Sequence, residues 1–241
     1  MKSRVICWFS CGAASAVATK IALQQYKDHE VIIAYTEVIE EHPDNKRFLA
    51  DCEKWFGQKI LILGNDRYKR SIYETFKTSA MNIKGAAPCT RKLKKQVREK
   101  FEQPNDIQVF GYTVEEQDRY DRFLDANNIN AIAPLIDKQL GKSDCLAMLQ
   151  NANIELPVMY KLGYQNNNCI GCVKGGKGYW NKIKIDFPEQ FERMAKLERF
   201  KKQTVLKGIY LDELPPDAGN YPNEPEIQCG IFCHMAEEEY R

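Results

Sequence analysis

Short apolar runs alternate with helix-like segments through the first half of this 241-residue chain, and that alternation limits the folds it can adopt. Each run is rich in β-branched and aromatic side chains, which is typical of buried strands. The runs lie at residues 4–9, 31–35, 59–63 and 107–112. Strands separated by helices indicate parallel crossovers. The sequence therefore predicts an α/β fold with an open, mainly parallel, twisted sheet and helices on both faces.

The pattern changes after residue 137, where the regular alternation stops. A Gly- and Asn-rich polar loop at residues 163–178 holds two cysteines, and a helix is predicted near residues 188–200. Residues 208–225 contain four prolines, which favours a connection without regular structure. We therefore expect an α/β domain over residues 1–137 and a Cys-rich extension over residues 138–241 that packs on the same domain.

Composition excludes several classes of protein. The chain has 35 Lys and Arg against 33 Asp and Glu, so its net charge of +2 gives no global attraction to nucleic acid. A mean hydropathy of −0.52 and the lack of a long apolar run exclude a membrane span. The apolar stretch Val5–Phe9 is too short for a secretory signal. We expect a cytoplasmic chain with no membrane partner, whose clustered cysteines serve metal or redox chemistry.

A loop of small residues, Ser10-Cys11-Gly12-Ala13-Ala14-Ser15, follows the first predicted strand. Small residues before a helix let backbone N–H groups approach an anion, and ligands of open α/β sheets bind at the carboxyl ends of strands. The other interpretation is a tight turn with small residues for packing, which applies to Cys11 in particular. The Walker and dinucleotide-binding glycine motifs are both absent.

The loop resembles a degenerate form of the Ser-Gly-Gly-x-Asp-Ser pyrophosphate loop of the adenine nucleotide α-hydrolase superfamily. Ser10, Gly12 and Ser15 match that pattern, whereas Ala14 replaces its Asp. Within the superfamily, the order of further motifs is similar to that of the phosphoadenosine-phosphosulfate (PAPS) reductase family. Residues 110–119 resemble its Gly-x-Arg-x-x-Glu-Ser stretch, with Thr113 in place of Arg.

Two later segments carry the same resemblance. Residues 133–137 are like the Pro-Leu/Ile-Ile-Asp segment of the family, and residues 156–164 are like its Pro-x-x-Leu-x-x-x-Gly-Tyr run. The resemblance implies that residues 1–137 bind an adenine nucleotide, which would be PAPS, APS or ATP. It implies a nucleotide site formed by the following residues: Ser10, Cys11, Gly12, Ser15, Gly111, Arg91 and Lys92.

Arg91 and Lys92 are predicted at the start of a helix over residues 90–101. Cations at that end do not complement the helix dipole, so an anionic ligand would explain their position. A solvated face, with Lys94, Lys95 and Arg98 also pointing outward, is the alternative.

Nine cysteines are present, and Cys169 and Cys172 form a C-x-x-C pair in the glycine-rich loop. Thiolates at this spacing can bind a tetrahedral metal or part of an iron–sulfur cluster. The resemblance implies a [4Fe-4S] cluster held by Cys89, Cys169, Cys172 and Cys233, with Cys229 as an alternative fourth ligand. The two alternative interpretations are zinc bound by the same residues and thiols that bind no metal. Three further cysteines in apolar contexts are predicted to be core thiols: Cys7, Cys52 and Cys145.

The tail Gln228-Cys229-Gly230-Ile231 resembles the Glu-Cys-Gly-Leu/Ile-His end of members that reduce sulfonucleotides. That likeness implies Cys229 as the catalytic nucleophile and a thiol donor such as thioredoxin as reductant. An alternative is an ATP-dependent sulfurtransferase of the DNA-phosphorothioation or tRNA-thiolation type, which would need a nucleic-acid acceptor. A third is a nucleotide-binding protein without turnover, stabilised by structural zinc.

Overall fold

The computed structural model describes residues 3–81 and 87–227. Its five strands belong to one sheet, and every neighbouring pair is parallel. They are β1 (Val5–Phe9), β2 (Val31–Thr36), β3 (Ile60–Leu63), β4 (Ile107–Val109) and β5 (Ala131–Ile132). The strand order is β3-β2-β1-β4-β5, so β1 lies in the centre. The predicted α/β fold with a parallel sheet is confirmed.

Helices follow the strands and continue beyond the sheet. Those of the first half are α1 (Ala13–Gln25), α2 (Asn45–Phe56), α3 (Ile72–Lys77), α4 (Gln96–Phe101) and α5 (Gln117–Asp125). A π-helical turn, Thr90–Lys95, runs directly into α4. Those of the second half are α6 (Pro134–Asp137), α7 (Lys142–Asn151), α8 (Val158–Lys161), α9 (Lys177–Asp186) and α10 (Pro188–Lys201). Within the described residues, no helix is long and apolar enough to cross a lipid bilayer.

Both faces of the sheet are covered, because successive residues of a strand point to opposite sides. Cys7 and Phe9 of β1 pack with Phe48 of α2 on one face. Trp8 of β1 packs with Phe123 of α5 on the other. The covering of both faces, which the sequence predicts, is confirmed. The three cysteines predicted as core thiols are fully buried, and burial raises the pKa of Cys7 to about 12.

A third apolar cluster collects the second half of the chain around α9 and α10, with Trp180 and Met194 fully buried in it. The connection after α10 is fixed by the buried carboxylate of Glu198, which accepts the N–H groups of Val205 at 2.6 Å and Leu211 at 2.7 Å. Part of the chain after residue 137 also packs against the sheet domain, where α7 contacts α1. The domain boundary at residue 137 stays a prediction.

Several elements differ from the sequence expectation. The predicted strand at residues 107–112 ends at Val109, and five elements were not predicted, namely β5, α5, α6, α8 and α9. β5 has two residues, which is too few to show a pattern. α5 has three apolar side chains at helical spacing, Tyr120, Phe123 and Leu124, but it buries only Phe123. α9 begins at Lys177, within the segment 163–178 whose composition favours a loop.

Candidate functional site

The loop between β1 and α1 is closed by the side chain of Ser15. Its Oγ accepts the N–H of Ser10 at 3.0 Å and donates to the carbonyl of Gly12 at 3.0 Å, and the two serine hydroxyls lie 3.1 Å apart. Gly111, just after β4, lies directly against this turn. A Cβ at position 111 would be 2.7 Å from the backbone N of Ser15, so only glycine permits this approach. The structure therefore brings together Ser10, Gly12, Ser15 and Gly111.

These four residues line one cleft with a volume of about 570 Å³, at the carboxyl ends of β1 and β4. This is the edge of an open parallel sheet at which ligands bind. The cleft also has cations, carboxylates and amides on its wall. They are Lys94, Arg119 and Lys142; Glu115, Glu116 and Glu226; and Asn166, Asn167 and Asn168. Charged and amide groups converging on a small-residue loop suit a polar, anionic small molecule.

Cys11 does not contribute its side chain to this cleft. The thiol is fully buried in the core between the sheet and α1, and burial raises its pKa well above the ordinary value. The backbone at Cys11 is left-handed, with φ of 57°, and its carbonyl accepts the Nδ2 of Asn167 at 2.7 Å. The expectation that Cys11 faces a ligand is corrected in this respect: its backbone shapes the loop, and its thiol packs.

Arg91 and Lys92 also lie away from the cleft wall. The Nζ of Lys92 donates to Ser79 Oγ at 2.6 Å and lies 4.7 Å from the centre of the Tyr68 ring. Arg91 is exposed, and neither side chain lines the cleft. The predicted anion site at the helix start is therefore not part of this cleft.

Lys94, two residues further along, lines the cleft instead. It was expected to point outward, but it is 9% exposed, and Arg98 is 3% exposed. The buried positions of this segment still follow ordinary helical spacing; they are Thr90, Leu93, Lys94, Val97 and Arg98. Lys94 and Arg98 were expected to point outward because they are charged.

A buried carboxylate, Glu41, organises the polar residues behind the loop. It accepts the hydroxyl of Tyr35 at 2.5 Å, the Nδ2 of Asn45 at 3.0 Å and the Nζ of Lys94 at 3.3 Å. Burial raises the pKa of Glu41, and the charge of Lys94 opposes that shift. Asn45 in turn accepts the Nδ2 of Asn167 at 2.8 Å. One sequence signal was available for Glu41, since it follows β2 at the same edge of the sheet as the loop.

The predicted metal ligands of the described chain belong to one apolar cluster. Cys169 and Cys172 are each 5% exposed within it, and Cys89 packs against it. Cys229 and Cys233 lie outside the described residues. Within residues 3–81 and 87–227, no three His, Cys, Asp or Glu side chains form a group that could hold a metal ion.

The C-x-x-C loop is held by the hydroxyl of Tyr179. It accepts the N–H groups of Gly171 at 3.1 Å and Cys172 at 2.9 Å, and it donates to the carbonyl of Cys169 at 3.2 Å. Gly171 has a φ of 74°, which favours glycine. The Tyr179 hydroxyl therefore fixes the backbone between the two cysteines.

Backbone contacts join this loop to the cleft. The N–H of Ile170, between the two cysteines, donates to the carbonyl of Glu40 at 2.9 Å. Asn167, two residues before Cys169, binds the carbonyl of Cys11. The thiol pair and the loop after β1 are therefore adjacent parts of one structure.

Comparisons with known proteins add little to this description. No protein-family model matches the sequence, and no curated protein matches it significantly. Among solved structures, the chain is similar to the U34-tRNA thiolase NcsA from Methanococcus maripaludis, which was solved with its [4Fe-4S] cluster. The TM-score is 0.44 at 12% identity, over 84% of this chain and 72% of that chain.

Proposed function

We propose that the cleft binds an adenine nucleotide, with its phosphate groups on the loop at residues 10–15, and that the chain performs cysteine-based sulfur chemistry on it. One observation carries the proposal. The described chain ends at Glu226 and Ile227, which line the same cleft as Ser15 and Gly111, and Cys229 follows two residues later in the sequence. Two residues of chain span at most about 7 Å, so the proposed nucleophile is within reach of this cleft.

The reaction that we propose first is reduction of a sulfonucleotide such as PAPS or APS. The thiolate of Cys229 attacks the sulfur atom, the S–O bond to phosphate breaks, and the nucleotide leaves with the bonding electron pair. A dithiol such as thioredoxin then attacks the Cys229 sulfur, its two thiols become a disulfide, and sulfite leaves. Lys94 and Lys142 line the cleft, where their charge would stabilise the leaving phosphate.

ATP-dependent sulfur transfer is the second candidate. Ala14 supplies no carboxylate to the loop, but Glu115 and Glu116 line the same cleft. Carboxylates of this kind hold the Mg²⁺ that accompanies phosphate chemistry. In this candidate the chain would activate an oxygen of an acceptor, such as a nucleic acid, with release of AMP or pyrophosphate.

We further propose a [4Fe-4S] cluster held by Cys89, Cys169, Cys172 and Cys233, with structural zinc as the alternative. The side chains suit thiolate ligation, because Cys169 and Cys172 are buried in one apolar group of side chains and Cys89 packs against that group. No three side chains of the described residues form a group that could hold a metal ion, so this ligand set is not assembled within them and the proposal requires ligands from the tail. When bound, such a cluster would supply a redox-active iron centre next to the cleft.

Product analysis distinguishes the two reactions. Purified chain is incubated without oxygen, with PAPS or APS plus reduced thioredoxin, and separately with ATP. Sulfite formed by the wild type but not by Cys229→Ser supports reduction. Pyrophosphate or AMP formed from ATP supports sulfur transfer. If neither nucleotide is converted or bound, the proposed function is wrong. Absorbance and iron and zinc analysis of the same anaerobic preparation test the cluster, since zinc gives no visible absorbance.

A further inference from the structure

Every cation on the described wall of the cleft lies beside a carboxylate. Lys94 is 3.3 Å from Glu41, Lys142 is 2.6 Å from Glu226, and Arg119 binds Glu116. An anionic ligand entering the cleft meets cations whose charge is already compensated. The carboxylate that is easiest to remove therefore determines where the ligand's charge is received.

The carboxylates of Glu41 and Glu226 differ sharply in how firmly they are held. The side chain of Glu41 is 4% exposed and accepts three hydrogen bonds from separate elements. The side chain of Glu226 is 48% exposed and has two partners, Lys142 and the Nδ2 of Asn166 at 3.4 Å. Exposed ion pairs contribute little stability, so Glu226 is the carboxylate that leaves at least cost.

We propose that Lys142 and Asn166 form a subsite for an anionic group of the cleft's ligand, and that the Glu226 carboxylate occupies this subsite in the unliganded chain. The Nζ of Lys142 also donates to Asn166 Oδ1 at 3.1 Å, so the ammonium keeps its orientation when Glu226 leaves. A phosphate or sulfonate oxygen offers the same charge and the same acceptors as the carboxylate that it replaces. This inference rests on the proposed function, because it assumes that the cleft receives an anion.

The segment that carries Glu226 has independent attachments. Asn168 Nδ2 donates to the carbonyl of Ile227 at 2.8 Å, and the Glu224 carboxylate accepts the N–H groups of Gly178 at 2.6 Å and Tyr179 at 3.0 Å. Removing the charge of Glu226 should therefore leave the segment in place. A Glu226→Gln variant then changes the charge at the subsite while preserving the shape of the cleft.

Calorimetric titration of the full chain with ATP, adenosine and inorganic pyrophosphate tests the inference. We expect Glu226→Gln to bind ATP and pyrophosphate about three- to five-fold more tightly than the wild type, since a competitor held by an exposed ion pair is gone. Adenosine affinity should not change. Lys142→Met should weaken the binding of both ATP and pyrophosphate. In the double variant with Glu226→Gln, it should cancel the gain in affinity. The control is Glu192→Gln, which removes the same charge from an exposed pair with Lys196 on α10.

Four results would overturn the subsite. They are unchanged anion affinity in Glu226→Gln, an equal gain for adenosine, a gain that survives Lys142→Met, and an equal gain in Glu192→Gln, which would show only the effect of net charge. Pyrophosphate separates this inference from the proposed function, because it carries the anionic group without the nucleoside. If adenosine and ATP fail to bind while pyrophosphate binds more tightly to Glu226→Gln and more weakly to Lys142→Met, the subsite stands and the nucleotide proposal fails.

Discussion

At the scale of single residues, the shape of the candidate site depends on one hydroxyl and one missing side chain. Ser15 closes the loop after β1 by bonding both Ser10 and Gly12, and Gly111 lets the end of β4 lie against it. The loop N–H groups and the β4 terminus are thereby held at one edge of the cleft. Their positions follow from steric limits and local hydrogen bonds.

Gly111→Ala should damage this arrangement, because its Cβ would lie 2.7 Å from the backbone of Ser15. We expect a loss of about 1–3 kcal/mol in the free energy of unfolding, as for other overpacked sites, together with weaker nucleotide binding. Gly12→Ala is the matched control, since its Cβ would meet nothing closer than 3.4 Å. Chemical denaturation of both variants gives the comparison, and equal losses would show that the close approach is unimportant.

Glu41→Gln tests the buried carboxylate behind the loop. It removes a carboxyl oxygen that accepts hydrogen bonds from buried partners such as Tyr35, so we expect a loss of about 1–3 kcal/mol in the free energy of unfolding. Burial raises the pKa of Glu41, so the folded state binds its proton more tightly than the unfolded state does. The contribution of Glu41 to the free energy of unfolding is therefore full below the ordinary glutamate pKa, and it declines as the pH rises through the raised pKa.

The difference in stability between wild type and Glu41→Gln should accordingly shrink as the pH rises above the ordinary glutamate value. Urea unfolding at a series of pH values measures it. A difference that grows with pH would mean that pairing with Lys94 outweighs burial at this carboxyl.

Residue identities could be predicted only where local spacing decides them. Ser10, Gly12, Ser15 and Gly111 follow strands of the predicted sheet, and the sequence was enough to bring them together. Lys94 was missed because a cation was expected to face solvent, although it lies at helical spacing from the buried residues Thr90 and Arg98.

At the scale of elements, the C-x-x-C loop is built onto the first turns of α9. The hydroxyl of Tyr179 satisfies three backbone groups of that loop, and Tyr179 is 2% exposed. The glycines of the loop predicted a turn, but nothing in the spacing showed that an aromatic hydroxyl would organise it. β5 was missed because two residues are too few to show a pattern.

Tyr179→Phe should remove the three hydrogen bonds of the hydroxyl, to the N–H groups of Gly171 and Cys172 and the carbonyl of Cys169. We expect a loss of about 2–3 kcal/mol in the free energy of unfolding, from the three buried hydrogen bonds, and less metal per chain. Tyr73→Phe is the control, because the Tyr73 hydroxyl makes a single long hydrogen bond of 3.4 Å to the carbonyl of Gln190. Thermal unfolding and metal analysis report both effects. If Tyr179→Phe retains its stability and metal, the hydroxyl does not hold the loop.

At the scale of the whole molecule, the sheet positions a loop and the C-terminal half encloses it. Asn167 ties the thiol-bearing loop to the backbone of Cys11, and the segment ending at Ile227 closes one side of the cleft. The fold class could be predicted because alternating strands and helices permit few arrangements. The packing of the second half depends on long-range contacts that no local pattern contains, such as the Glu224 carboxylate on the first turn of α9.

The central claim is that this cleft receives an adenine nucleotide, and a crystal structure of the chain with an adenine nucleotide tests it most directly. We predict phosphate density against the backbone N–H groups of the loop at residues 10–15, with Gly111 beside the nucleotide. We also predict that an anionic oxygen of the nucleotide has replaced the Glu226 carboxylate beside Lys142. A nucleotide bound elsewhere on the chain, with Ser15 and Gly111 uncontacted, would contradict the account.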